Sequence, residues 1–324
     1  MSQPPNPSAP SMPGCWWHPN RQTGLSCARC GRPACPDCLR EAPVGFQCTD
    51  CVQTGAQQQK QQQRQYRNAG MGSRTIAGAR LSNSYVVTAT LIAVNVVIFL
   101  ITAIQAKSLF NNGFAPLEQM GVLQTRAALG NGEWWRIITS GFLHYGPIHI
   151  AANAFSLWMM GRALEQVFGK VRYLALYFVS MLGASTAVLL FEDTRLGTAG
   201  ASGAIFGLLG SYAVIVLKLR LNPTALLINL VINAYITFSI SGISLFAHAG
   251  GLVTGALVTA AMLYAPARNL ARWQAIGTAI VAVALVGLIG WRATEIPPQT
   301  CLYVQYQGQS QYVCVSSGSG GAST

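Results

Sequence analysis

Seven apolar runs dominate this chain, near Tyr85 to Ile104, Ile148 to Phe168, Tyr173 to Leu190, Ser202 to Leu217, Ala225 to Ile240, Leu245 to Ala265 and Ile276 to Trp291. A bilayer core takes about twenty apolar residues per helix. Inside it every backbone polar group must be satisfied within the protein, which leaves helices as the spanning element for runs of this length. The chain is therefore expected to be an all-α polytopic membrane protein with seven crossings and one long amphipathic loop between the first and second. Composition agrees: 51% of residues are hydrophobic and 9% charged, against about 25% charged in soluble domains.

The net charge of +12 raises nucleic acid as a partner, but the basic residues do not pool on one soluble face. Arg64, Arg67, Arg74 and Arg80 precede the first run, Arg162, Lys170 and Arg172 surround the turn after the second, Lys218 and Arg220 follow the fourth, and Arg268 and Arg272 follow the sixth. These are alternate loops, as the positive-inside bias requires. The N-terminus is expected in the cytoplasm and the C-terminus outside, with the lipid bilayer and no nucleic acid as partner. The polar, Cys-rich start lacks the pattern of a cleavable signal peptide, so the first apolar run is expected to direct insertion, into a bacterial plasma membrane.

Cysteine usage divides along that topology. Cys15 and His18, Cys27 and Cys30, Cys35 and Cys38, and Cys48 and Cys51 form four knuckles of spacing C-x2-H or C-x2-C. Eight soft ligands in four pairs suit two tetrahedral structural zinc ions. A disulfide framework competes, but seven cysteines are an odd number and the compartment is expected to be reducing. The short gap from Cys30 to Cys35 disfavours independent adjacent sites. A cross-braced pairing is expected, with Cys15, His18, Cys35 and Cys38 on one ion and Cys27, Cys30, Cys48 and Cys51 on the other. The segment resembles a B-box-type zinc finger, and metal is expected to supply most of its folding energy.

The Gln-rich stretch from Gln57 to Gln65 buries too little to fold alone and reads as a linker. Beyond the last run, Cys301 and Cys314 flank Tyr303, Tyr306 and Tyr312 in an alternating stretch that suits a small hairpin. Outside the cell these cysteines can bridge; free thiols in a loose tail are the other reading. The Ser-Gly-rich end is expected to be disordered on composition.

Two polar side chains stand out against the apolar runs: Ser202, between Gly200 and Gly203, and His248, followed by Gly251 and Gly255. Ionisable groups at membrane depth are functional candidates by default. A serine becomes a nucleophile when a base takes its proton, and histidine is the usual base. The small residues at four-residue spacing let two helices approach closely and are expected to bring Ser202 and His248 within hydrogen-bond reach. None of the nine acidic residues lies in the runs holding Ser202 and His248, and Glu192 and Asp193 are in the preceding loop, so a dyad is expected rather than a triad. Phe206, one turn after Ser202, is placed to stack on the imidazole. Oxyanion donors are sought in the second run, where His149 and Asn153 share a helical face. Singly, each residue has a duller reading: a serine bonding back to its own helix, an asparagine joining helices. A metal on His149 and Asn153 lacks a third ligand.

Taken together these residues resemble the rhomboid intramembrane serine proteases over roughly Tyr85 to Ala265. Glu133-Trp134-Trp135-Arg136 is similar to the family's first-loop motif, His144, His149 and Asn153 to its H-x4-H-x3-N, and Gly161-Arg162-Ala163-Leu164-Glu165 to the motif that follows. Gly200-Ala201-Ser202-Gly203 is similar to the nucleophile motif and Ala247-His248-Ala249-Gly250-Gly251 to the base motif. The resemblance implies a rhomboid six-helix core hydrolysing peptide bonds in or near transmembrane segments of other proteins. Ser202 would be the nucleophile, His248 the base, and His149, Asn153 and the Ser202 amide the oxyanion hole. His144 is open between catalytic support and structure; Arg136 and Glu165 would stabilise loop and helix ends. The organisation expected is a zinc-binding module over 1–55, a flexible linker over 56–82, the six-helix core over 83–266, a seventh transmembrane helix with its loop over 267–295, and an external tail over 296–324. The alternatives are a rhomboid-like scaffold or adaptor that recruits cytosolic partners through the zinc module, and a solute transporter, for which no inverted repeat is visible.

Overall fold

The computed structural model describes residues 12–42, 45–68, 74–80, 85–192, 197–239, 243–297, 299–306 and 309–316. Two compact units divide the chain, 1–73 and 74–324.

In the first unit β1 (Leu39–Glu41) pairs antiparallel with β2 (Phe46–Cys48), Leu39 opposite Cys48. A helix α1 (Thr49–Asn68) follows directly. It runs through the Gln-rich stretch. Gln, Lys, Arg and Ala are good helix formers on their own account, so helix forms here although few of its side chains are buried. Arg29 holds the first part of α1, donating to Cys51 O at 3.2 Å and Gln58 Oε1 at 3.0 Å.

The second unit begins earlier than the sequence suggests. Ala77 is fully buried, Thr75 Oγ1 donates to Val167 O, and Gln274 Nε2 donates to Ala77 O at 3.0 Å. Residues 74–80 therefore pack with the helical unit.

Helices α2 (Val86–Ala106), α3 (Pro116–Gly121), α4 (Arg136–Thr139), α5 (Gly146–Phe168), α6 (Lys170–Phe191), α7 (Ser202–Leu219), α8 (Thr224–Ser239), α9 (Leu245–Leu263) and α10 (Leu270–Glu295) follow in order. All seven expected spans are helical. Among the described residues, five are long and apolar enough to cross a membrane by themselves: α2, α6, α7, α9 and α10. The other two differ for local reasons. α5 carries His149, Asn153, Arg162 and Glu165, and α8 has 16 residues.

Helices α6, α7 and α9 form the centre, and they touch through backbone. A Cβ on Gly251 would lie 1.9 Å from Gly203 O, and one on Gly255 2.0 Å from Gly207 O. On the α6 side, a Cβ on Gly207 would lie 2.2 Å from Ser180 Cβ and one on Gly183 1.9 Å from Thr254 Oγ1. Around this contact pack Leu176, Tyr177, Leu208 and Val258, each fully buried.

The seventh helix is integral to this unit. Gln274 on α10 accepts from Arg172 Nε at 2.6 Å and donates to Met262 O at 2.9 Å, Arg292 Nε donates to Leu189 O at 3.1 Å, and Ile289 is buried in the same cluster as Leu189. After α10 the backbone forms the expected hairpin, β3 (Gln299–Tyr306) antiparallel to β4 (Gln309–Ser316), with Cys301 opposite Cys314. The Ser-Gly-rich end lies outside the described residues.

Gly251→Ala is expected to cost about 1–3 kcal/mol or more, because a methyl there meets rigid backbone. Gly287→Ala on α10, where a Cβ meets nothing within 4 Å, is expected to leave stability unchanged or raise it by up to about 1 kcal/mol through helix propensity. Thermal unfolding of the two variants in detergent checks the contrast.

Candidate active site and metal centres

Ser202 is the first residue of α7, so its backbone N–H is a first-turn donor without a partner inside the helix. The chain reaches it through Gly200, whose φ of 134° is a conformation that disfavours a side chain. A Cβ there would also lie 2.8 Å from His149 Nε2. Gly200 N donates to Ser140 O at 2.9 Å and Ala201 N to His144 Nε2 at 3.5 Å, which ties the turn before Ser202 to the segment leading into α5.

Three histidines converge here, and their partners assign their protons. His144 is fully buried; its Nε2 accepts from Ala201 N, leaving Nδ1–H to donate to Phe142 O at 3.3 Å. Both nitrogens are spent on backbone. His149 Nδ1 accepts from Tyr145 N at 3.3 Å. A backbone N–H can only donate, so the neutral ring carries its proton on Nε2, beside Gly200. Asn153 Nδ2 donates to His149 O at 3.0 Å and keeps a second N–H. His248 is buried in the first turns of α9, and Phe206 stacks on it with ring centroids 3.9 Å apart and planes 11° from parallel.

Ser202, His248, His149, Asn153 and Ser185 line one cavity of about 600 Å³. No hydrogen bond joins Ser202 Oγ to His248 among the described residues. Catalytic bonds are often long before substrate binds. No carboxylate contacts His248 among the described residues, and Asp193 lies outside them. What reasoning from sequence missed is a hydroxyl: Thr237 Oγ1 on α8 lies 2.8 Å from His248 Nδ1. No motif marks it, since a threonine in an apolar helix normally bonds only to its own backbone. Glu192 acts elsewhere. It accepts from Ser244 Oγ at 2.7 Å, while Ser244 Oγ caps α9 by accepting from Ala247 N at 3.0 Å.

The two outlying motifs hold ends together. Glu165 on α5 accepts from the N–H groups of Val87 and Thr88 at 3.1 and 2.8 Å and from Thr88 Oγ1 at 2.8 Å, capping α2 from another helix. Arg136, 1% exposed, pairs with Glu133 at 2.5 Å and donates to Gln119 O and Val122 O, each at 2.8 Å. Trp135 Nε1 donates to Met120 O at 3.0 Å. Near them Glu118 in α3 is 1% exposed, with neither carboxylate oxygen bonded among the described residues. Burial away from water pushes its pKa up to about 8.

In the first unit the ligand atoms of Cys15, His18, Cys35 and Cys38 lie within 4.8 Å of one another, as do those of Cys27, Cys30, Cys48 and Cys51. The quartets interleave along the chain, the cross-braced pairing. His18 Nδ1 is 3.8, 3.5 and 3.4 Å from the sulfurs of Cys15, Cys35 and Cys38, and Cys30 Sγ is 3.8 Å from Cys48 Sγ. Ligands about 2.0–2.3 Å from a tetrahedral ion stand about 3.6 Å apart, whereas a disulfide is about 2.05 Å long. The donor set and spacing fit a metal ion. Without one, burial and the neighbouring sulfurs of Cys35 and Cys15 push the Cys38 thiol up to about 12.

Fold and site together define a helical integral membrane protein with a serine, histidines and an asparagine around a cavity. A rhomboid domain model matches residues 131–265. Rhomboid protease GluP of Bacillus subtilis (strain 168) is 37% identical over 139 residues, 41% of this chain and 27% of that relative. Putative rhomboid protease YdcA of the same organism is 36% identical over 136 residues, 40% of this chain and 68% of that relative. Inactive RHOMBOID-like protein 8 of Arabidopsis thaliana is 31% identical over 157 residues, 46% of this chain and 44% of that relative. This chain belongs to the rhomboid family.

Two variants test the structural roles. Glu165→Leu strands the N–H groups of Val87 and Thr88 and is expected to cost about 1–3 kcal/mol for each left buried and unbonded, read from thermal unfolding. Glu118, with its folded pKa raised from 4.5 to about 8, contributes stability that is complete below about pH 4.5 and is lost as pH rises towards 8. Glu118→Gln is expected to flatten the pH dependence of the unfolding midpoint across that window.

Proposed function

We propose that the chain is an intramembrane serine endopeptidase that cleaves peptide bonds in or beside transmembrane segments of other membrane proteins. The observation that carries this reading is the single cavity lined by Ser202, His248, His149 and Asn153, with the His149 proton held on Nε2 by the Tyr145 N–H. Ser202 Oγ attacks the scissile carbonyl and gives its proton to His248 Nε2. The developing oxyanion accepts from His149 Nε2–H, the spare Asn153 N–H and the Ser202 N–H. His248 then protonates the leaving amine, and water cleaves the acyl-enzyme by the same route in reverse. A substrate helix shields its own amides, so residues that break helix near the scissile bond favour cleavage.

In the first unit the proposed metal is zinc, two ions per chain, which would hold the eight ligands together as a structural element and take no part in hydrolysis. The unit's role is recruitment of a cytosolic protein partner, with the N-terminus inside and the C-terminus outside the plasma membrane. The name of the inactive A. thaliana relative favours a second reading, a membrane scaffold without hydrolysis.

Purified full-length protein with a single-pass model substrate separates these. The native chain is expected to cleave, Ser202→Ala and His248→Ala to lose cleavage with folding intact, and Asn153→Ala to lower kcat on the order of 10²-fold. No cleavage by the native chain would favour the scaffold. Metal analysis is expected to return two zinc per chain, and Cys35→Ala one. Deleting residues 1–73 is expected to lower cleavage in cells while sparing cleavage of the model substrate in detergent.

A further inference from the structure

The Thr237 hydroxyl has one hydrogen and two possible partners. Asn233 O, four residues earlier on α8, is 2.7 Å away, and His248 Nδ1 is 2.8 Å away. A carbonyl oxygen can only accept, so the hydroxyl hydrogen goes to Asn233 O. Thr237 Oγ1 then faces His248 with a lone pair, and the compatible partner is Nδ1–H. A neutral imidazole with its proton on Nδ1 presents an unprotonated Nε2, the form a general base requires. Phe206, stacked on the ring face, restrains the plane while leaving both nitrogens accessible at the ring edge.

We infer that Thr237 is a positioning residue which holds His248 in its Nδ1–H tautomer, in the place where other serine hydrolases use a carboxylate. A neutral hydroxyl suits this depth better than a carboxylate would, since it needs no counter-ion when buried. The assignment also makes α8 part of the catalytic apparatus. The N-terminal half of α8 is anchored apolarly, Leu226 packing with Leu209 and Val216. Towards its C-terminal end Tyr235 and Phe238 are exposed, and Thr237 is buried against His248. Displacing this end of α8 would remove the partner that fixes the tautomer, so the base is ready only while that end is seated.

The inference rests on the hydrolase reading, and its test separates the two. Histidine ¹⁵N NMR of the full-length Ser202→Ala protein in detergent, with the His248 signal identified by its loss in His248→Ala, reports which ring nitrogen carries the proton. The Nδ1–H form is expected with Thr237 present. Thr237→Val, nearly isosteric and without the hydroxyl, is expected to move His248 to a tautomer mixture, and Thr237→Ser to restore the Nδ1–H form. In the active background Thr237→Val is expected to lower kcat roughly tenfold or more with KM little changed, part of the 10²–10⁴ that a positioned base contributes, and Thr237→Ser to recover most of it. An unchanged tautomer in a folded Thr237→Val protein overturns the inference even if the native chain cleaves. Cleavage that survives in Ser202→Ala overturns the hydrolase reading instead, whatever the tautomer.

Discussion

The contact on which the rest of the helical unit depends is backbone against backbone, where α7 meets α9. Gly203 faces Gly251 and Gly207 faces Gly255 at the same offset, so the two helices run parallel in a fixed register. The carbonyl oxygens of one occupy the space where side chains of the other would stand. In a bilayer apolar burial adds little between helices, and close packing of small residues carries association. That register places Ser202, at the start of α7, beside the first turns of α9 that hold His248. The cavity and the placing of Ser202 and His248 on it are consequences of where glycines fall on two helices.

Around this contact the polar groups are arranged so that backbone partners decide the state of each ring. His144 gives both nitrogens to backbone and fixes the turn that carries Ser202. His149 has one nitrogen occupied by the Tyr145 N–H, which leaves the other as a donor beside Gly200. His248 is bracketed by an aromatic face and a hydroxyl. Buried polar groups cost heavily when unpaired, so the same bonds that make the site tolerable within the membrane also assign its donors and acceptors.

The first unit solves a different problem. It is too small to build much core, and Ala34, Leu39 and the cysteines themselves make up most of what is buried. The β1–β2 hairpin places Cys38 and Cys48 at adjoining strand ends that belong to different quartets. Interleaving the quartets draws each candidate site from both halves of the unit.

Apolar runs, the four cysteine and histidine knuckles and the polar residues set among glycines were legible along the chain because each is a local pattern. Bilayer thickness fixes run length, ligand chemistry fixes knuckle spacing, and close helix approach fixes glycine spacing. The helix over the Gln-rich stretch has no burial pattern to announce it, because intrinsic propensity forms it. The docking of Thr75 and Ala77 was missed because it depends on Val167 and Gln274, far along the chain. Thr237 looked like any threonine in an apolar helix, and Glu192 looked idle until Ser244 was placed beside it. Sequence alone determined which groups must lie in the membrane unit. Tertiary structure decided which nitrogen of each histidine is free, because that depends on a hydrogen-bond partner brought from another segment.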